Sequence, residues 1–316
     1  MTLVETKTPR DHGGGLDAAM ARWGGDRSDW IDLSTGINPV PYPVTALPEH
    51  AWTALPDKAA QAALLDAARR FWRVPEQAAI LAAPGASALI ARIPALATAA
   101  GVDIPEPTYN EHAAAFLAQG WQRTQEEATA RVLVHPNNPT GQIWTANDLT
   151  APLTIVDESF CDIAPDQSLI AHSADPGRIV LKSFGKFWGL AGMRLGFAIG
   201  NPALIERLND LSGPWAVSCP ALHIGALALQ DPQWADETRN RLQQDSERLD
   251  RLMLSKGADL AGGTPLFRLY KVSDAKVWQE RLASKHIWSR IFPYSETFLR
   301  LGLPAPDRWD QLEAAL

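Results

Sequence analysis

An amine, a carboxylate and an amide each follow an apolar segment of this sequence. Lys186 lies in a stretch of Ser, Phe and Gly, Asp157 directly follows the segment 153–156, and Asn138 lies in an Asn-Pro-Thr-Gly turn. Taken singly, each has an ordinary interpretation as an exposed lysine, a helix cap or a turn residue. Together, an amine that can form a Schiff base, an anion for a ring nitrogen and an amide donor are suited to chemistry on a carbonyl cofactor.

Two further features predict a phosphate-binding site. Gly85-Ala86-Ser87 opens a helical segment, and the main-chain N–H groups at the start of a helix bind anions. Arg194 comes shortly after Lys186 and can supply a cation to the same site. A Schiff-base lysine, a carboxylate, an amide and an anion cradle are the groups that pyridoxal phosphate requires, so we expect this cofactor.

The elements that must position these groups alternate between strands and helices. Apolar, β-rich runs predict strands, and Ala- and Leu-rich runs predict helices between them. The predicted strands are 79–82, 102–104, 131–135, 153–156, 178–181 and 194–199, and the predicted helices are 57–71, 87–100 and 110–120. This alternation indicates an α/β fold with a mostly parallel sheet sandwiched by helices, and ligands bind such sheets at the carboxyl ends of the strands.

The pattern changes on both sides of this region. Residues 1–45 are rich in Gly, Pro and Asp, which favours an extended arm over a packed helix. Residues 46–205 form the predicted large domain, and residues 206–316 form a smaller α+β domain. The small domain is predicted from a long amphipathic helix at 232–254 and short strands at 266–272, 286–291 and 298–301.

Composition excludes several classes of protein. Lys and Arg number 29 against 36 Asp and Glu, a formal charge of −7, whereas a nucleic-acid binder needs a basic excess. No apolar run reaches the roughly 18 residues of a membrane span, and the polar segment 1–15 is unlike a secretory signal. The two cysteines lie far apart, which favours a reducing cytoplasm, and the histidine spacing predicts no metal site.

The order and spacing of these motifs resemble a known superfamily. Asn-Pro-Thr-Gly, then Asp157, then Ser-x-x-Lys-x-x-Gly-x-x-Gly-x-Arg ending at Arg194 resemble the fold-type-I aminotransferases over most of the chain. A narrower resemblance rests on His12-Gly13-Gly14, the segment 32–39 and Asp-Glu-Ser-Phe at 157–160. These residues resemble the L-threonine O-3-phosphate decarboxylases of cobalamin biosynthesis, which are sister enzymes to histidinol-phosphate aminotransferases.

The resemblance implies roles for particular residues. Lys186 would hold the cofactor aldehyde, Asp157 would pair with the pyridine nitrogen, and Tyr109 would lie against the ring face. Asn138 would donate to the ring 3-oxygen. The cofactor phosphate would be bound by Gly85, Ala86, Ser87, Ser183 and Arg194.

The substrate site is predicted from Arg300 and from the N-terminal arm. Arg300 stands in an apolar run, which argues for a buried anionic partner, and the resemblance makes that partner the substrate α-carboxylate. His12, Ser34 and Asn38 are predicted to form part of the pocket for a substrate phosphate.

Two positions depart from the pattern of the superfamily. Phe160 stands where many members have a tyrosine bonded to the ring oxygen. Leu55 stands where relatives place a tyrosine that reaches the partner subunit's cofactor phosphate, and Tyr42 is a candidate replacement. A homodimer with sites near the subunit boundary is expected.

Three functions are compatible with these residues. The favoured one is decarboxylation of L-threonine O-3-phosphate to (R)-1-aminopropan-2-yl phosphate. The second is amino transfer of the histidinol-phosphate aminotransferase kind, because the residues around Lys186 do not separate the two reactions. The third is a non-catalytic regulator that keeps the cofactor as a ligand, although no appended helix-turn-helix supports it.

Overall fold

The computed structural model describes residues 10–44 and 46–316. The first nine residues of the predicted arm, and Thr45 at its end, therefore lie outside the described residues. The helices are α1 (Leu16–Trp23), α2 (His50–Thr53), α3 (Lys58–Phe71), α4 (Ala86–Ile90), α5 (Asn110–Ala118), α6 (Pro202–Ser212), α7 (Cys219–Leu229), α8 (Pro232–Ser255), α9 (Ala275–Ala283) and α10 (Trp309–Ala315). The strands are β1 (Ile31–Asp32), β2 (Ala79–Ala83), β3 (Gly101–Asp103), β4 (Gln122–Arg123), β5 (Ala130–Val134), β6 (Leu153–Asp157), β7 (Arg178–Ser183), β8 (Gly196–Gly200), β9 (Asp259–Thr264), β10 (Phe267–Lys271), β11 (Ile287–Trp288), β12 (Arg290–Phe292) and β13 (Ser295–Gly302).

A seven-stranded sheet in the order β2-β8-β7-β6-β5-β3-β4 forms the centre of the fold. Only β8 runs antiparallel to its neighbours, so the prediction of a mostly parallel sheet is confirmed. Val134, Asp157 and Leu181 are register partners across β5, β6 and β7. The loops that follow these three strands therefore meet at one edge, and the loop after β2 lies there too, because Ala83 at the end of β2 pairs with Gly196 at the start of the reversed strand β8. This edge collects the predicted cofactor residues.

Helices cover both faces of this sheet. Successive side chains of a strand point to opposite faces, so neighbouring residues belong to different cores. Leu133 and Val156 pack in the core that contains residues of α3 and α7. Val132 and Ile155 pack in the core that contains residues of α4, α5 and α6. Burial on both faces explains why these strands are almost wholly apolar.

A second, antiparallel sheet in the order β12-β13-β10-β9 lies in the C-terminal part of the chain. Its register places Arg290 of β12 directly opposite Arg300 of β13. Residues paired in this way project from the same face of a sheet, and like charges side by side are destabilising unless anions offset them. The fold therefore creates a site with two neighbouring cations.

The prediction that the N-terminal arm is extended is wrong for residues 16–23, which form the helix α1. Leu16 and Ala19 are buried against Trp30 and Ala283, and β1 pairs in parallel with β11. The segment thus packs against the C-terminal part of its own chain. The glycines that suggested an extended arm flank α1 instead of interrupting it, with Gly24 at its C-cap in a left-handed conformation.

Other predicted elements agree with the structure to within a few residues, with two exceptions. The predicted strand 286–291 divides into β11, which pairs with β1, and β12, which pairs with β13. The helix predicted at 87–100 ends at Ile90 and is followed by a separate 3-10 turn, Ile93–Leu96. Pro94 lacks the N–H that an α-helix needs at this point, which favours the break. The predicted domain boundary at 205 and 206 falls within α6, and the division into domains stays a prediction. None of the described helices is long and apolar enough to cross a membrane.

Candidate active site

Two adjoining cavities lie at the edge where the sheet loops meet. The larger has a volume of about 840 Å³ and is lined by Lys186, Arg300 and Arg290 among others. The smaller, about 170 Å³, is lined by Asp157 and Arg194 among others. Four residues line both cavities, and they are Tyr109, Asn138, Phe160 and Lys186. The structure thus brings the predicted amine, carboxylate, amide and basic groups into one continuous site.

Lys186 stands where the two cavities join. Its Nζ lies 5.4 Å from the centre of the Phe160 ring, and it forms no salt bridge with any residue that the structure describes. Burial, followed by repulsion from Arg300, lowers the pKa of Lys186 to about 8, although the charge of Asp157 opposes this shift. At pH 7 about a tenth of an amine with this pKa is unprotonated, and about half at pH 8, and the unprotonated form is the one that attacks an aldehyde.

Asp157 is buried at the end of β6 and keeps its negative charge. Burial acts to raise the pKa of Asp157, but the hydrogen bond and charge of His112 and two hydrogen bonds from Ser159 outweigh it, so the pKa lies below its ordinary value. The His112 Nε2 is 2.8 Å from Asp157 Oδ2, and both side chains are buried. A buried carboxylate that stays ionised can hold a ring nitrogen protonated.

His112 is a functional residue that the sequence prediction missed. It lies on α5, three residues after Tyr109, so the two side chains share one helix face. The ring centres of Tyr109 and His112 are 6.2 Å apart. The one sequence signal for His112 was its position on the same helix face as Tyr109, which was predicted to contact the cofactor ring. The partner of His112 lies on β6, and only the tertiary structure shows that pairing.

Tyr109 lines both cavities at the start of α5. Burial, followed by the charges of Asp157 and Glu111, raises the pKa of Tyr109 to about 12. The phenol therefore stays protonated at neutral pH, and its ring is available as a surface against a planar ligand.

Arg300 and Asn138 form one connected unit. Arg300 Nη1 donates to Asn138 Oδ1, and Nη2 donates to the main-chain oxygen of Ser34 at 2.5 Å. Because Asn138 Oδ1 accepts from Arg300, the amide N–H groups of Asn138 are directed elsewhere and can donate to a ligand. Arg300 Nε is buried without a hydrogen-bond partner among the described residues. A buried cation without a carboxylate partner favours an anionic ligand.

The predicted phosphate site has the shape that such an anion needs. Gly85 has a φ of +87°, and a Cβ atom there would lie 2.5 Å from Arg194 Nη2. Arg194 Nη2 also donates to Ser87 Oγ at 3.0 Å. Ala86 and Ser183 line the smaller cavity beside them. The positive φ favours glycine at this turn, and the space between a helix start and a guanidinium fits a phosphate group.

The three predicted arm residues have different placements. His12 lines the larger cavity, and its Nε2 is 2.8 Å from Glu111 Oε1. Ser34 Oγ accepts from the Gly14 N–H at 2.7 Å and donates to Asp32 at 2.6 Å, so this hydroxyl orders the arm. Ser34 contributes its main-chain oxygen to the site, through Arg300, and its side chain lines neither cavity.

Asn38 supports the loop of Lys186 and is not placed at the cavity. Its Nδ2 donates to the main-chain oxygen of Phe187 at 2.8 Å, and its Oδ1 accepts from Arg241 at 2.6 Å. The Asn38 N–H also donates to the main-chain oxygen of Lys186 at 3.0 Å. Because this amide bonds within the protein and lines neither cavity, the predicted contact of Asn38 with a substrate phosphate has no structural support. Tyr42 packs beside Trp188, and its predicted contact with the cofactor phosphate of a partner subunit stays a prediction.

Arg290 is the second functional residue that the sequence prediction missed. It lines the larger cavity opposite Arg300 in the sheet, and its side chain is only 12% exposed. Its two Nη atoms donate to the two carboxylate oxygens of Asp11 at 2.8 and 2.7 Å. The signal for Arg300, an arginine within an apolar run, also applies to Arg290 between Trp288 and Phe292.

A group of potential metal ligands lies apart from these cavities. Ligand atoms of His135, Glu158 and Cys161 lie within 4.8 Å of one another. However, His135 Nδ1 accepts from the Trp144 N–H and Nε2 bonds to the Gln167 oxygen, so both ring nitrogens are engaged. Glu158 is paired with Lys182 at 2.6 Å. These bonds make the group a structural network and not a metal centre.

The residues present fit pyridoxal phosphate. At one end of the smaller cavity lies the anion site beside Gly85 and Arg194. The buried, ionised Asp157 also lines this cavity, and so does Lys186. Lys186 and Asp157 would hold the aldehyde carbon and the ring nitrogen, and Arg194 with Ser87 would hold the phosphate. When bound, this cofactor withdraws the electrons of a bond at the substrate α-carbon.

Known proteins are similar to this chain over nearly its whole length. A threonine-phosphate decarboxylase of Sinorhizobium sp is 39% identical over 95% of this chain and 94% of its own. A threonine-phosphate decarboxylase of Pseudomonas aeruginosa is 38% identical over 97% of this chain and 97% of its own. Among solved structures, the fold is similar to that of the histidinol-phosphate aminotransferase of Sinorhizobium meliloti in complex with pyridoxal-5'-phosphate. The match covers 100% of this chain and 96% of that chain, with a TM-score of 0.85 and 20% sequence identity.

The family assignment follows from the sequence match. The profile of the family described as aminotransferase class I and II matches residues 117–315, which is more than half of the chain. That range includes Asn138, Asp157, Lys186, Arg194 and Arg300. This chain therefore belongs to the aminotransferase class I and II family of pyridoxal-phosphate-dependent enzymes.

Proposed function

We propose that this protein decarboxylates L-threonine O-3-phosphate, releasing carbon dioxide and (R)-1-aminopropan-2-yl phosphate. The observation that carries the proposal is the pair Arg290 and Arg300, which line the cavity of Lys186 from adjacent strands. L-Threonine O-3-phosphate carries a carboxylate on its α-carbon, which also bears the amine, and a phosphate on the adjacent β-carbon, so two guanidinium groups match its charges. The names of the two relatives with 39% and 38% identity support the same substrate.

The residues around the cofactor site would divide the work. Asp157 stays ionised and would keep the ring nitrogen protonated, with His112 fixing its orientation. Asn138 would donate an N–H to the ring 3-oxygen while its own oxygen accepts from Arg300. Phe160 provides no hydroxyl at this place, so Asn138 is the main donor to that oxygen. Lys186, whose pKa is lowered to about 8, would move the proton at the substrate α-carbon.

Two anchored anions would decide which bond at the α-carbon reacts. Arg300 would hold the carboxylate, and Arg290 would hold the phosphate after Asp11 moves away. A substrate held at both ends cannot rotate freely about the bond between its α-carbon and nitrogen. We propose that this constraint presents the bond to the carboxylate for cleavage. Lys186 would then donate a proton to the α-carbon.

Amino transfer is the second candidate, and one observation favours it. The unprotonated amine of Lys186 lies in the same cavity and could remove the α-proton if the substrate were turned. A histidinol-phosphate aminotransferase of Mesorhizobium japonicum is 24% identical over 93% of this chain. Both candidates share the cofactor and the fold, so only the products distinguish them.

The deciding experiment is a carbon dioxide assay. The holoenzyme is incubated with L-threonine O-3-phosphate without any 2-oxo acid, and free L-threonine serves as the control substrate. We expect carbon dioxide from the phosphorylated substrate and a much lower kcat with free threonine, because the remote anion supplies orientation as well as affinity. Equal turnover of both substrates, or rapid amino transfer to an added 2-oxo acid, would instead assign the protein as an aminotransferase.

Replacing Arg300 by Lys is expected to reduce kcat/KM by about 10- to 100-fold. An ammonium group cannot reproduce the two parallel hydrogen bonds of a guanidinium, and a hydrogen bond to a charged group contributes about 1.5–3 kcal/mol. The remaining turnover should shift toward amino transfer, because a loosely held carboxylate lets other bonds at the α-carbon react. Parallel assays of carbon dioxide and of the keto product would measure this shift. An unchanged product ratio would argue against orientation by Arg300.

Replacing Asp11 by Asn is expected to lower the KM for the phosphorylated substrate by up to about fivefold. In the structure Asp11 occupies both Nη atoms of Arg290, so a ligand anion must first displace it. Asp11 is partly exposed, and such ion pairs contribute about 1 kcal/mol or less. Asp17→Asn on α1 is the matched control and should leave KM unchanged. A higher KM in Asp11→Asn would mean that Asp11 assists binding.

We also propose that the protein is a cytoplasmic homodimer. Trp52 and Leu55 are 71% and 66% exposed near the start of α3, and Trp215 before α7 is 61% exposed. Tryptophan and other aromatic side chains are enriched in protein interfaces relative to the rest of the surface. The two cysteines are unpaired, which supports the cytoplasmic assignment. Light scattering should give twice the chain mass of 34.4 kDa, and a species of 34.4 kDa alone at assay concentration would contradict the dimer.

A further inference from the structure

A buried carboxylate bonds to both ends of the loop that carries Lys186. We call residues 182–188 the lysine loop. Lys182 Nζ, at its start, lies 3.3 Å from Asp162 Oδ1. Trp188 Nε1, at its end, donates to Asp162 Oδ2 at 3.0 Å. Asp162 lies outside the lining of both active-site cavities, so it acts on the site only through other residues.

Asp162 is itself held in a fixed position. Its side chain is 4% exposed, and it lies in a 3-10 turn shortly after Asp157 and β6. Trp72 Nε1 donates to Asp162 Oδ1 at 2.9 Å, and Arg239 Nε donates to its main-chain oxygen at 2.8 Å. A buried charge must be fully hydrogen-bonded, and such a network is rigid when every member is satisfied. Asp162 therefore offers the lysine loop an anchor with little freedom of its own.

The same network reaches the carboxylate that faces the cofactor site. Lys182 pairs with Glu158 at 2.6 Å, and Glu158 directly follows Asp157. Glu158 is in turn held by Ser168 and by the Leu169 N–H, both at 2.6 Å. The loop of Lys186 and the loop after Asp157 are thus tied together on the side away from the ligand.

We propose that Asp162 is a positioning residue that places the Lys186 amine by fixing both ends of the lysine loop. The proposal rests on the assignment of Lys186 as the lysine that binds the cofactor. Trp188 is fully buried between the rings of Phe184 and Trp234, and its indole N–H is the side-chain donor that links this end of the loop to Asp162. Without it, the ring stacking and the main-chain bonds from Asn38 and Tyr42 remain, but the carboxylate no longer ties the end of the loop to its start.

The two indoles that bond to Asp162 provide a matched pair of variants. Trp188→Phe removes the hydrogen bond from the lysine loop, and Trp72→Phe removes the hydrogen bond from the end of α3. Each variant keeps an aromatic ring and deletes one buried N–H donor to the same carboxylate. A role in overall stability predicts similar effects from both, whereas positioning of Lys186 predicts a much larger effect from Trp188, because Asp162 keeps Lys182 and its Arg239 bond when Trp72 is changed.

The measurement uses the full chain freed of cofactor. Pyridoxal 5'-phosphate is added over a range of pH, the adduct is trapped with borohydride, and its amount on Lys186 is followed with time by peptide mapping. For Trp188→Phe we expect the capture rate at neutral pH to fall several-fold and its pH midpoint to rise, because a less enclosed amine is more readily protonated. The kcat of the holoenzyme should fall with KM nearly unchanged. Trp72→Phe should differ from the unmodified protein by less than twofold in each quantity.

Asp162→Asn provides an independent test, since an amide cannot accept from both indoles and Lys182 at once. It should shift capture in the same direction as Trp188→Phe and further. Equal effects of the two tryptophan variants, or an unchanged capture profile in Trp188→Phe, would overturn the proposal. Capture is measured without substrate, so it tests Asp162 even if the protein proves not to be a decarboxylase. Conversely, an unchanged capture profile would refute the role of Asp162 but would not contradict the proposed decarboxylation, which the carbon dioxide assay tests separately.

Discussion

Replacing Lys186 by Ala is expected to abolish covalent capture of pyridoxal phosphate and to lower turnover by more than about a thousandfold. Lys186 is the amine that lines both cavities, and it would both bind the cofactor and move the substrate proton. In the unmodified protein, borohydride should place the reduced adduct on Lys186. The capture rate should increase as the pH rises through about 8, because burial lowers the pKa of Lys186 to about 8 and the neutral amine is the nucleophile.

Lys182 is the internal comparison for this experiment. It is also buried, and burial alone would lower its pKa. Its ion pairs with Glu158 and Asp162 outweigh burial, so the pKa of Lys182 lies above its ordinary value. It should therefore stay protonated and unmodified throughout the pH range. Peptide mapping that finds the adduct on Lys182 would refute the assignment. Lys186→Arg keeps the positive charge without a usable amine and should fail in the same way as Lys186→Ala.

Replacing Asp157 by Asn is expected to lower kcat by about 10²- to 10³-fold, the usual loss when a preorganised electrostatic group is removed from an active site. An amide cannot hold a ring nitrogen protonated. Because the pKa of Asp157 lies below its ordinary value, the carboxylate is ionised throughout the neutral range, and the defect should not vary with pH between about 6 and 8.

His112→Gln is the companion variant for Asp157. It removes the imidazole that bonds to Asp157 but leaves the carboxylate and the Ser159 contacts, so a smaller loss of kcat is expected. Thermal unfolding of both variants would separate a catalytic loss from a folding defect. Near-normal turnover of Asp157→Asn would exclude its role at the ring nitrogen.

Several site residues could be predicted because their signal is local. Asp157 directly follows an apolar strand, and Lys186 lies in a motif of fixed spacing that ends at Arg194. A strand buried on both faces is recognisable by its composition, and the loop at its carboxyl end follows in the sequence. The structure brings these residues to one edge of the sheet, as expected for the carboxyl ends of parallel strands.

The sequence did not predict the roles of residues whose partners lie far away in the chain. Asn38 was predicted to bind substrate, yet its amide bonds to the backbone of Phe187 and to Arg241. A buried amide must have partners, but a sequence does not show whether those partners belong to a ligand or to another loop. Arg290 was missed for a related reason. Its importance depends on the strand register that sets it beside Arg300.

The α/β order of elements and the chemical groups at the ends of the strands could be predicted from the amino-acid sequence, because the hydrophobic period and turn residues act over a few positions. Packing of the folded chain sets which groups are neighbours: His112 with Asp157, Arg290 with Arg300, and Asp162 with both ends of the lysine loop. It also decided that the pKa of Lys186 falls while that of Lys182 rises. Burial and charge act through space, so residues far apart in the chain set these properties once packing brings them together.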